Sequence, residues 1–313
     1  MKVALTGASG LIGHTLVRAL CARGDEVTIL TRDPERAPRA GVPAPRSQDA
    51  RPEPELVRWS PVREPAPARA LAGQDAVVHL AGEPIAQRWN ERVKRAIRDS
   101  RVLGTRNLVS GIAAVDQPDR PRALLSASAI GYYGPHGPEP IDEEAPAGSD
   151  FLARVCAAWE SEAGAARELG VRTVALRTGV VLDRSGGALA QMLTPFRLGL
   201  GGRVGSGEQY MAWVHPQDVI EIVLAALADE RWSGPVNLTA PEPVTAAVFA
   251  RSLGRALHRP AALAVPAFAL RMRYGEMASV LTNGVRALPA RALMLGYTFA
   301  HPSLPEALRA ALA

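Results

Sequence analysis

The first thirteen residues constrain the fold of this chain more than any other stretch. A short β-type run, Val3–Leu5, leads directly into Gly7, Gly10 and Gly13, and an amphipathic helical pattern follows, with leucine or valine at positions 11, 16, 17 and 20. Glycine lets the backbone turn tightly and lets a phosphate approach where a Cβ would clash. The free N–H groups of the first helical turn carry partial positive charge. This strand, turn and helix start therefore predict a site for the pyrophosphate of a dinucleotide.

The same reasoning assigns cofactor contacts to the residues of the turn and of the first helical turn. Backbone N–H groups and the small residues around them are the expected donors to the phosphates. The predicted contacts here are Thr6, Gly7, Ser9, Gly10, Leu11, Ile12 and Gly13.

The end of the second predicted strand, Glu26–Leu30, indicates which dinucleotide binds. In NAD-binding versions of this fold an acidic residue near this end bonds the ribose hydroxyls, whereas here Thr31 holds that position and Arg32 follows. A guanidinium pairs well with a 2′-phosphate, so we predict NADP(H) as the preferred cofactor, with contacts from Thr31 and Arg32. Asp33 leaves NAD(H) possible, and the alternative is that Arg32 is a solvated loop residue.

Composition excludes several classes of protein. The 313 residues are 47% apolar and 21% charged, as in an ordinary soluble globular protein. No apolar run is long enough for a transmembrane helix, and the N-terminal motif leaves no room for a signal peptide. The two cysteines, Cys21 and Cys156, lie far apart, which excludes a disulfide framework. We therefore expect a cytoplasmic protein that does not associate with membranes.

The net charge of +5 does not by itself indicate nucleic-acid binding. The arginines are scattered, and aromatic residues make up only 5% of the chain, so the basic stripe typical of nucleic-acid binding is missing. The six histidines never pair at metal-ligand spacing. We expect a small-molecule substrate, no nucleic acid and no metal, and both a monomer and a homodimer remain open.

Strand and helix patterns alternate along the chain. Buried strands are predicted at 75–80, 122–128 and 171–176, with helices at 90–114 and 151–169. Such alternation predicts an α/β Rossmann fold, a doubly wound parallel sheet. The strand at 75–80 ends in Leu80, Ala81 and Gly82, where small residues let a cofactor pass close by, so we add these three to the predicted cofactor contacts.

The pattern changes after about residue 185. We place an NADP-binding Rossmann domain at 1–185 plus about 208–240, and a smaller C-terminal α/β subdomain on the substrate side at about 186–207 and 241–313. The glycine-rich stretch at 199–207 is predicted to form loops. A proline-rich insert at about 37–68 has a composition that cannot bury a core, so much of it should be a surface excursion, with Val57–Trp59 as a short edge strand inside it.

Several motifs occur in the order found in extended short-chain dehydrogenases/reductases, and the chain resembles this group, also called the NAD-dependent epimerase/dehydratase family. The motifs are Thr6–Gly13, His79–Gly82, Ser126–Ser128, Arg177–Gly179 and Val214–Asp218. Phrases near the C-terminus resemble an atypical "epimerase family protein" branch with an end domain of unknown function. These phrases are Asn237–Pro243, His258–Pro260, Gly275–Met277 and Leu293–Phe299.

The resemblance implies hydride transfer to or from a nicotinamide. In this superfamily a tyrosine acts as general acid/base, its pKa lowered by a lysine four residues later, and a serine upstream orients the substrate. Ser128 matches that serine. The Tyr-x-x-x-Lys pair should lie near residues 151–156, but one register places Phe151 and Val155 in the two roles, and the other places Leu152 and Cys156 there. Neither register supplies a tyrosine or a lysine.

Three interpretations of this departure remain open. Another residue protonates the substrate, with Tyr132 or Tyr133 as candidates and Arg154 as a neighbouring cation; or His215 or water assists; or the protein binds a dinucleotide without turnover. The first two make it an NADP(H)-binding oxidoreductase or epimerase-like enzyme acting on a small carbonyl or sugar-like substrate, and the third a regulatory protein. We predict Ser128, Tyr132 and Tyr133 as catalytic, Glu83, Tyr133 and His215 as substrate contacts, and Arg177 as a cofactor contact or a structural ion pair.

Overall fold

The computed structural model of this chain describes residues 1–36 and 53–313, and residues 37–52 of the predicted proline-rich insert lie outside them. The strands of the described residues, in chain order, are β1 Lys2–Thr6, β2 Glu26–Thr31, β3 Glu55–Arg58, β4 Ala76–His79, β5 Ala123–Ala129, β6 Pro140–Ile141, β7 Arg172–Thr178, β8 Val180–Val181, β9 Gly202–Val204, β10 Tyr210–Met211, β11 Trp213–Val214, β12 Gly234–Leu238, β13 Val244–Thr245, β14 Leu263–Val265 and β15 Arg286–Ala287.

The α-helices alternate with the longer strands and then gather in the last third of the chain. They are α1 Leu11–Arg23, α2 Ala68–Leu71, α3 Glu91–Ala113, α4 Phe151–Gly164, α5 Gly187–Arg197, α6 Pro216–Ala228, α7 Ala246–Ala256, α8 Ala267–Tyr274, α9 Ala278–Thr282, α10 Ala290–Met294 and α11 Leu304–Leu312. None of the helices in the described residues is long and apolar enough to cross a membrane.

Seven strands form one parallel sheet in the order β12-β7-β5-β4-β1-β2-β3. In register, Thr6 at the end of β1 lies between Leu30 of β2 and His79 of β4. The strand order therefore reverses at β1, and in such sheets ligands bind at the carboxyl ends of the strands beside the reversal. The predicted α/β Rossmann fold with a doubly wound parallel sheet is confirmed.

Local signals explain where the elements flanking the sheet begin and end. Gly24 ends α1 in the left-handed conformation at φ 86°, as its position in the sequence predicts. Asn90 caps α3 by accepting a hydrogen bond from the backbone of Val93 at 2.9 Å. One apolar core packs α1 and α6 against the sheet, and a second packs α3 against the other face.

The described part of the proline-rich insert forms an edge strand that overlaps the predicted Val57–Trp59, and its buried Trp59 corrects the prediction that this composition cannot bury a core. β3 pairs with β2 at the edge of the sheet, and Trp59 directly after it is only 1% exposed. The Trp59 indole N–H donates to the carbonyl of Glu64 at 3.0 Å, so the ring is buried without an unsatisfied donor. One aromatic side chain anchored beside a short edge strand outweighs the polar and proline-rich surroundings.

The region after β8 carries its own apolar cluster, in which α5, α7 and α11 pack together. The prediction of loops at 199–207 was wrong in part, because Gly202–Val204 pairs in parallel with β14. A Cβ at Gly202 would meet the carbonyl oxygen of Leu263 at 1.6 Å, so this glycine is required by close strand contact rather than by a turn.

Candidate functional site

The glycine turn between β1 and α1 forms one wall of the candidate site. Gly7 has φ 75°, and a Cβ there would meet the carbonyl carbon of Leu80 at 2.6 Å, while one at Gly13 would meet the oxygen of Gly7 at 2.1 Å. Both glycines are therefore required by the packing of the turn itself. A Cβ at Gly10 would meet only that oxygen, at 3.3 Å, so its outer surface is open.

Gly10 is also the N-cap of α1, in extended conformation, and no side chain caps the helix. The first N–H groups of α1 thus have no side-chain acceptor at the point where the turn is open. Unsatisfied N–H groups at a helix start attract anions, and the turn leaves room for one. These residues fit the pyrophosphate of a dinucleotide.

A cavity of about 270 Å³ runs from this turn along the carboxyl ends of the central strands. Ser128, at the end of β5, lies on its far wall. The predicted site residues that line it are Gly7, Gly10, Leu11, Ile12, Gly13, Leu80 and Ser128. The structure thus brings the glycine turn and Ser128 to one cavity.

Other predicted cofactor contacts lie beside the cavity. Thr6 is fully buried, and its hydroxyl shares a 2.7 Å hydrogen bond with His79 and accepts the backbone N–H of Ala81 at 3.2 Å. It ties the ends of β1 and β4 together rather than meeting a ligand. Ser9 and Gly82 are exposed on the adjoining loops, and Ala81 is half-buried there.

The end of β2 carries the predicted selectivity residues. Thr31 is half-buried, and Arg32 is exposed and makes no hydrogen bond or ion pair within the part of the chain that the structure describes. Asp33, by contrast, pairs with Arg36 at 3.4 Å. A second exposed arginine, Arg58, lies opposite Thr31 in the register of β2 and β3, which sequence reasoning missed. This edge of the sheet is therefore cationic.

One face of α4 closes the cavity where the superfamily's catalytic pair would stand. Leu152, Val155, Cys156 and Trp159 line it at helical spacing. Phe151 instead packs edge-on against Trp89, with ring centroids 5.3 Å apart. Of the two registers, the one with Leu152 and Cys156 places both residues on the cavity, whereas the other places only Val155 there. Burial raises the pKa of Cys156 to about 12, so its thiol is neutral and a poor nucleophile.

Ser128 is held by a buried ion pair behind it. Its hydroxyl donates to Glu160 Oε1 at 2.6 Å, and Arg177 donates to the two oxygens of the same carboxylate, each at 2.9 Å. Because the Ser128 proton is committed to Glu160, the serine offers a ligand in the cavity an oxygen with lone pairs and no free donor.

The same network gives Arg177 and Tyr133 structural roles. Arg177 is 3% exposed, and besides Glu160 it donates to the Tyr133 hydroxyl and to the Glu143 carbonyl, both at 3.0 Å. Tyr133 is fully buried, and its hydroxyl donates to Asn237 at 2.7 Å. Burial raises the pKa of Tyr133 to about 12.

These contacts do not support the roles predicted for the tyrosines and Arg177. Neither Tyr133 nor Arg177 lines the cavity, and the hydrogen bonds of both are made within this network. Of the two meanings given to Arg177, the structural ion pair is the one that its contacts favour. Tyr132 is half-buried and lies over the Arg177 guanidinium at 3.5 Å, which also fixes it within this network.

His215 lies at the start of α6, where its Nδ1 accepts the backbone N–H of Gln217 at 3.2 Å. Its ring stacks on His301 at 3.8 Å. Burial, together with the neighbouring His301, lowers the pKa of His215 to about 4. Because it does not line the cavity, the geometry supports a capping role and not the predicted substrate contact.

Two of the cavity residues that sequence reasoning missed, Arg101 and Trp159, contact each other. Arg101, on α3, stacks over the Trp159 ring at 5.1 Å and donates to the carbonyls of Glu83 and Ile97. The predicted substrate contact Glu83 is half-buried beside it. The sequence pattern of α3 does not distinguish Arg101 from the other residues of the helix. Only the tertiary fold brings it into the cavity that Ser128 also lines.

A wider groove adjoins the cavity and shares Leu152 with it. Its volume is about 520 Å³. Trp89, Phe151 and residues of α8 and α9 line it, so it lies between the sheet domain and the C-terminal helices. A groove that is apolar at its base and rimmed by Arg271 and Glu276 offers space for the body of a ligand whose reacting end enters the cavity.

Within residues 1–36 and 53–313, no three histidine, cysteine or acidic side chains come together to hold a metal ion.

Comparison with known proteins gives two family matches. Residues 3–238 match the NAD dependent epimerase/dehydratase family, and residues 265–311 match a domain of unknown function, DUF1731. The chain is 39% identical to the epimerase family protein SDR39U1 homolog, chloroplastic, of Arabidopsis thaliana, over 99% of this chain and 86% of that relative.

Solved structures agree with these matches. The human epimerase family protein SDR39U1 (isoform2), crystallised with NADPH, superposes with a TM-score of 0.84 at 34% identity, covering 99% of both chains. The UDP-glucuronic acid 4-epimerase of Bacillus cereus, in complex with NAD, gives a TM-score of 0.76 at 17% identity, covering 99% of this chain and 97% of the enzyme. The second likeness concerns the fold alone.

Proposed function

Because this chain belongs to the NAD-dependent epimerase/dehydratase family, as its motifs predicted, we propose that it binds NADPH and interconverts a carbonyl and a hydroxyl group of a small substrate. One observation carries this proposal: a single cavity joins the open glycine turn to Ser128. The human relative was crystallised with NADPH, which supports the same cofactor here. A cytoplasmic location stays a prediction, since the Arabidopsis relative is named as chloroplastic.

Two parts of the chain would hold the cofactor phosphates. Gly10 and the first turn of α1 meet the pyrophosphate, and Arg32 at the end of β2 meets the 2′-phosphate. From the turn, the strand order leads through β4 to β5, so the nicotinamide lies on the Ser128 side. The nicotinamide would supply the hydride donor or acceptor there.

Ser128 and Glu160 would transfer the proton in place of a tyrosine and a lysine. Ser128 Oγ accepts a hydrogen bond from the substrate hydroxyl, since its own proton is already donated to Glu160. During oxidation the hydroxyl proton passes to Ser128 Oγ while the serine proton passes to Glu160 Oε1, and reduction reverses both transfers. Arg177 orients Glu160 through two hydrogen bonds, so the relay needs no further titratable group.

The test is NADPH oxidation across a panel of aldehydes, ketones and oxo-sugars, with deuterium at C4 of the nicotinamide to show transfer from one face. Ser128→Ala should lower turnover by about 100-fold, the usual size of general acid/base assistance. Ser126→Ala is the matched control, because Ser126 is buried two residues earlier on β5 and does not line the cavity. Equal turnover in Ser128→Ala and wild type would refute the relay.

The competing proposal is a regulatory protein that binds the dinucleotide without turnover. Leu152 and Cys156 favour it, because both stand where catalytic groups are expected and neither transfers a proton at neutral pH. NADPH binding without stereospecific oxidation of any carbonyl in the panel, and with no effect of Ser128→Ala on ligand binding, would establish the regulator.

Cofactor choice has its own test at the edge of the sheet. Arg32→Ala should weaken NADPH binding by about 1–3 kcal/mol and leave NADH nearly unchanged, because only NADPH carries the 2′-phosphate. Arg36→Ala is the matched control, since Arg36 is exposed nearby and already paired with Asp33. Equal losses for both cofactors in Arg32→Ala would contradict the assignment.

A further inference from the structure

Arg101 brings a positive charge into the apolar cavity. Its Nη1 donates to the carbonyls of Glu83 at 3.0 Å and of Ile97 at 3.1 Å. Within the described residues its Nη2 and Nε groups donate to no acceptor, and the side chain lines the cavity. The guanidinium carbon also lies over the Trp159 ring, 5.1 Å from its centroid, in a cation–π contact. The guanidinium is therefore held in place through Nη1, while its Nε and Nη2 edge can donate to a ligand.

Arg101 differs from Arg177, the other arginine near the site, in having no counter-ion among the described residues. Arg177 pairs with Glu160 at 2.9 Å, whereas Arg101 forms no ion pair in the described part of the chain. Burial lowers the pKa of Arg101 below its ordinary value, and the neighbouring Cys156 and Glu83 offset this only in part. A partly buried cation without a carboxylate is costly unless a ligand supplies the anion.

Trp159 adds a second unmet donor. It is 4% exposed and lines the same cavity, and its indole N–H has no acceptor among the described residues. Buried donors usually have a partner, and those without one often mark a ligand site. The free edge of Arg101 and the Trp159 N–H thus indicate a ligand with acceptor atoms and negative charge.

We propose that Arg101 binds a carboxylate group of the substrate, which makes the substrate an oxo acid or a hydroxy acid. This inference rests on the proposed function, in which Ser128, which lines the same cavity, meets the reacting oxygen. We place the cofactor phosphates away from Arg101. The glycine turn and Arg32 lie at the ends of β1 and β2, whereas Arg101 donates to Glu83, which follows β4. A single cation in apolar walls matches a planar monoanion better than a phosphate dianion.

The experiment is isothermal titration of the full-length protein with benzoate and with its neutral counterpart benzamide, both without cofactor and with saturating NADP+. Benzoate should bind and benzamide should bind at least about tenfold more weakly, as expected when a charge-assisted hydrogen bond is lost. Arg101→Met should abolish this preference. Arg98→Met is the matched control, because Arg98 is exposed one turn earlier on α3 and forms its ion pair with Asp99.

Three further variants keep the test decisive if Arg101→Met fails to fold. Arg101→Lys keeps the charge but loses the forked edge, so it should bind benzoate about tenfold more weakly. Glu83→Gln removes the nearby negative charge and should tighten benzoate binding. Trp159→Phe keeps the ring beneath the guanidinium and should weaken benzoate by several-fold, through the lost N–H.

Each outcome decides for or against the carboxylate site. Equal affinity for benzoate and benzamide, or benzoate binding unaffected by Arg101→Lys and Glu83→Gln, would overturn it. Loss of NADP+ affinity in Arg101→Lys by the same factor as benzoate would assign Arg101 to the cofactor instead. If NADP+ does not bind wild type at all, the proposed function fails, while the titration without cofactor still decides the role of Arg101.

Discussion

Replacing Gly10 by alanine separates the cofactor role of the glycine turn from its structural role. The added methyl meets only the oxygen of Gly7, at 3.3 Å, and φ −80° with ψ 169° is ordinary for alanine. The loss of a favourable N-cap residue should lower the free energy of unfolding by only about 1 kcal/mol. The same methyl occupies the approach of the phosphate to the first N–H groups of α1.

The expected loss of NADPH affinity is much larger than the loss of stability. Displacing one or two charge-assisted hydrogen bonds costs about 1.5–3 kcal/mol each, so the Kd should rise by on the order of 100-fold. Titration calorimetry with NADPH measures the affinity, and urea denaturation of the same preparation measures the stability.

Gly13→Ala is the matched comparison. Its methyl would meet the oxygen of Gly7 at 2.1 Å and the Cα of Ala8 at 2.9 Å, so the backbone of the turn must move. Stability should fall by about 1–3 kcal/mol, the range for overpacking, and binding should fall with it. NADPH binding to Gly10→Ala as tight as to wild type, or equal destabilisation by the two variants, would refute the proposed pyrophosphate site at the glycine turn.

Three further predictions concern the network around the site. Tyr133→Phe should lower the free energy of unfolding by about 1–3 kcal/mol, because it leaves Asn237 without its donor, and should spare NADPH oxidation; lost turnover with unchanged urea denaturation would restore a catalytic role. Glu160→Gln should cost about 3–5 kcal/mol in urea denaturation, since Arg177 keeps a buried charge without its partner; a loss below about 1 kcal/mol would show that the ion pair is dispensable. Burial, helped by Arg101, lowers the pKa of His79 to about 4, so the unfolded chain binds the proton first and stability should fall by about 3 kcal/mol as the pH drops from 6.5 to 4. His215 titrates in the same pH range, so stability should still fall with decreasing pH in the His215→Asn variant. A stability that does not change between pH 6.5 and 4 in that variant would exclude His79 as the cause.

The sequence was sufficient for features that depend on neighbouring residues. The glycine turn, the alternation of strands and helices, and the Asn90 and Thr245 helix starts are local signals, and Thr245 caps α7 by accepting the backbone N–H of Val248 at 3.3 Å. The absence of a tyrosine and a lysine at 151–156 was also visible, because the helix period limits which residues of α4 can face the strands.

Features set by distant residues were not predictable in the same way. A strand end near the cleft indicated that Tyr133 and Arg177 could meet a ligand, yet Asn237 and Glu160 draw both into the core. Arg101, by contrast, was not expected at the site and lines the cavity. Nothing in the pattern of α3 distinguishes it from the exposed Arg98, because its role depends on Trp159 from another helix.

The most direct test of the proposed chemistry is the position of the nicotinamide in a crystal structure of this protein with NADPH. We expect C4 to face the wall formed by Ser128, Leu152 and Cys156, with space for one carbon–oxygen group between C4 and Ser128 Oγ. We also expect Glu160 to remain the acceptor of the serine proton. A nicotinamide outside the cavity, or one whose C4 lies closer to Tyr132 or Arg154 than to Ser128, would contradict a serine–glutamate relay.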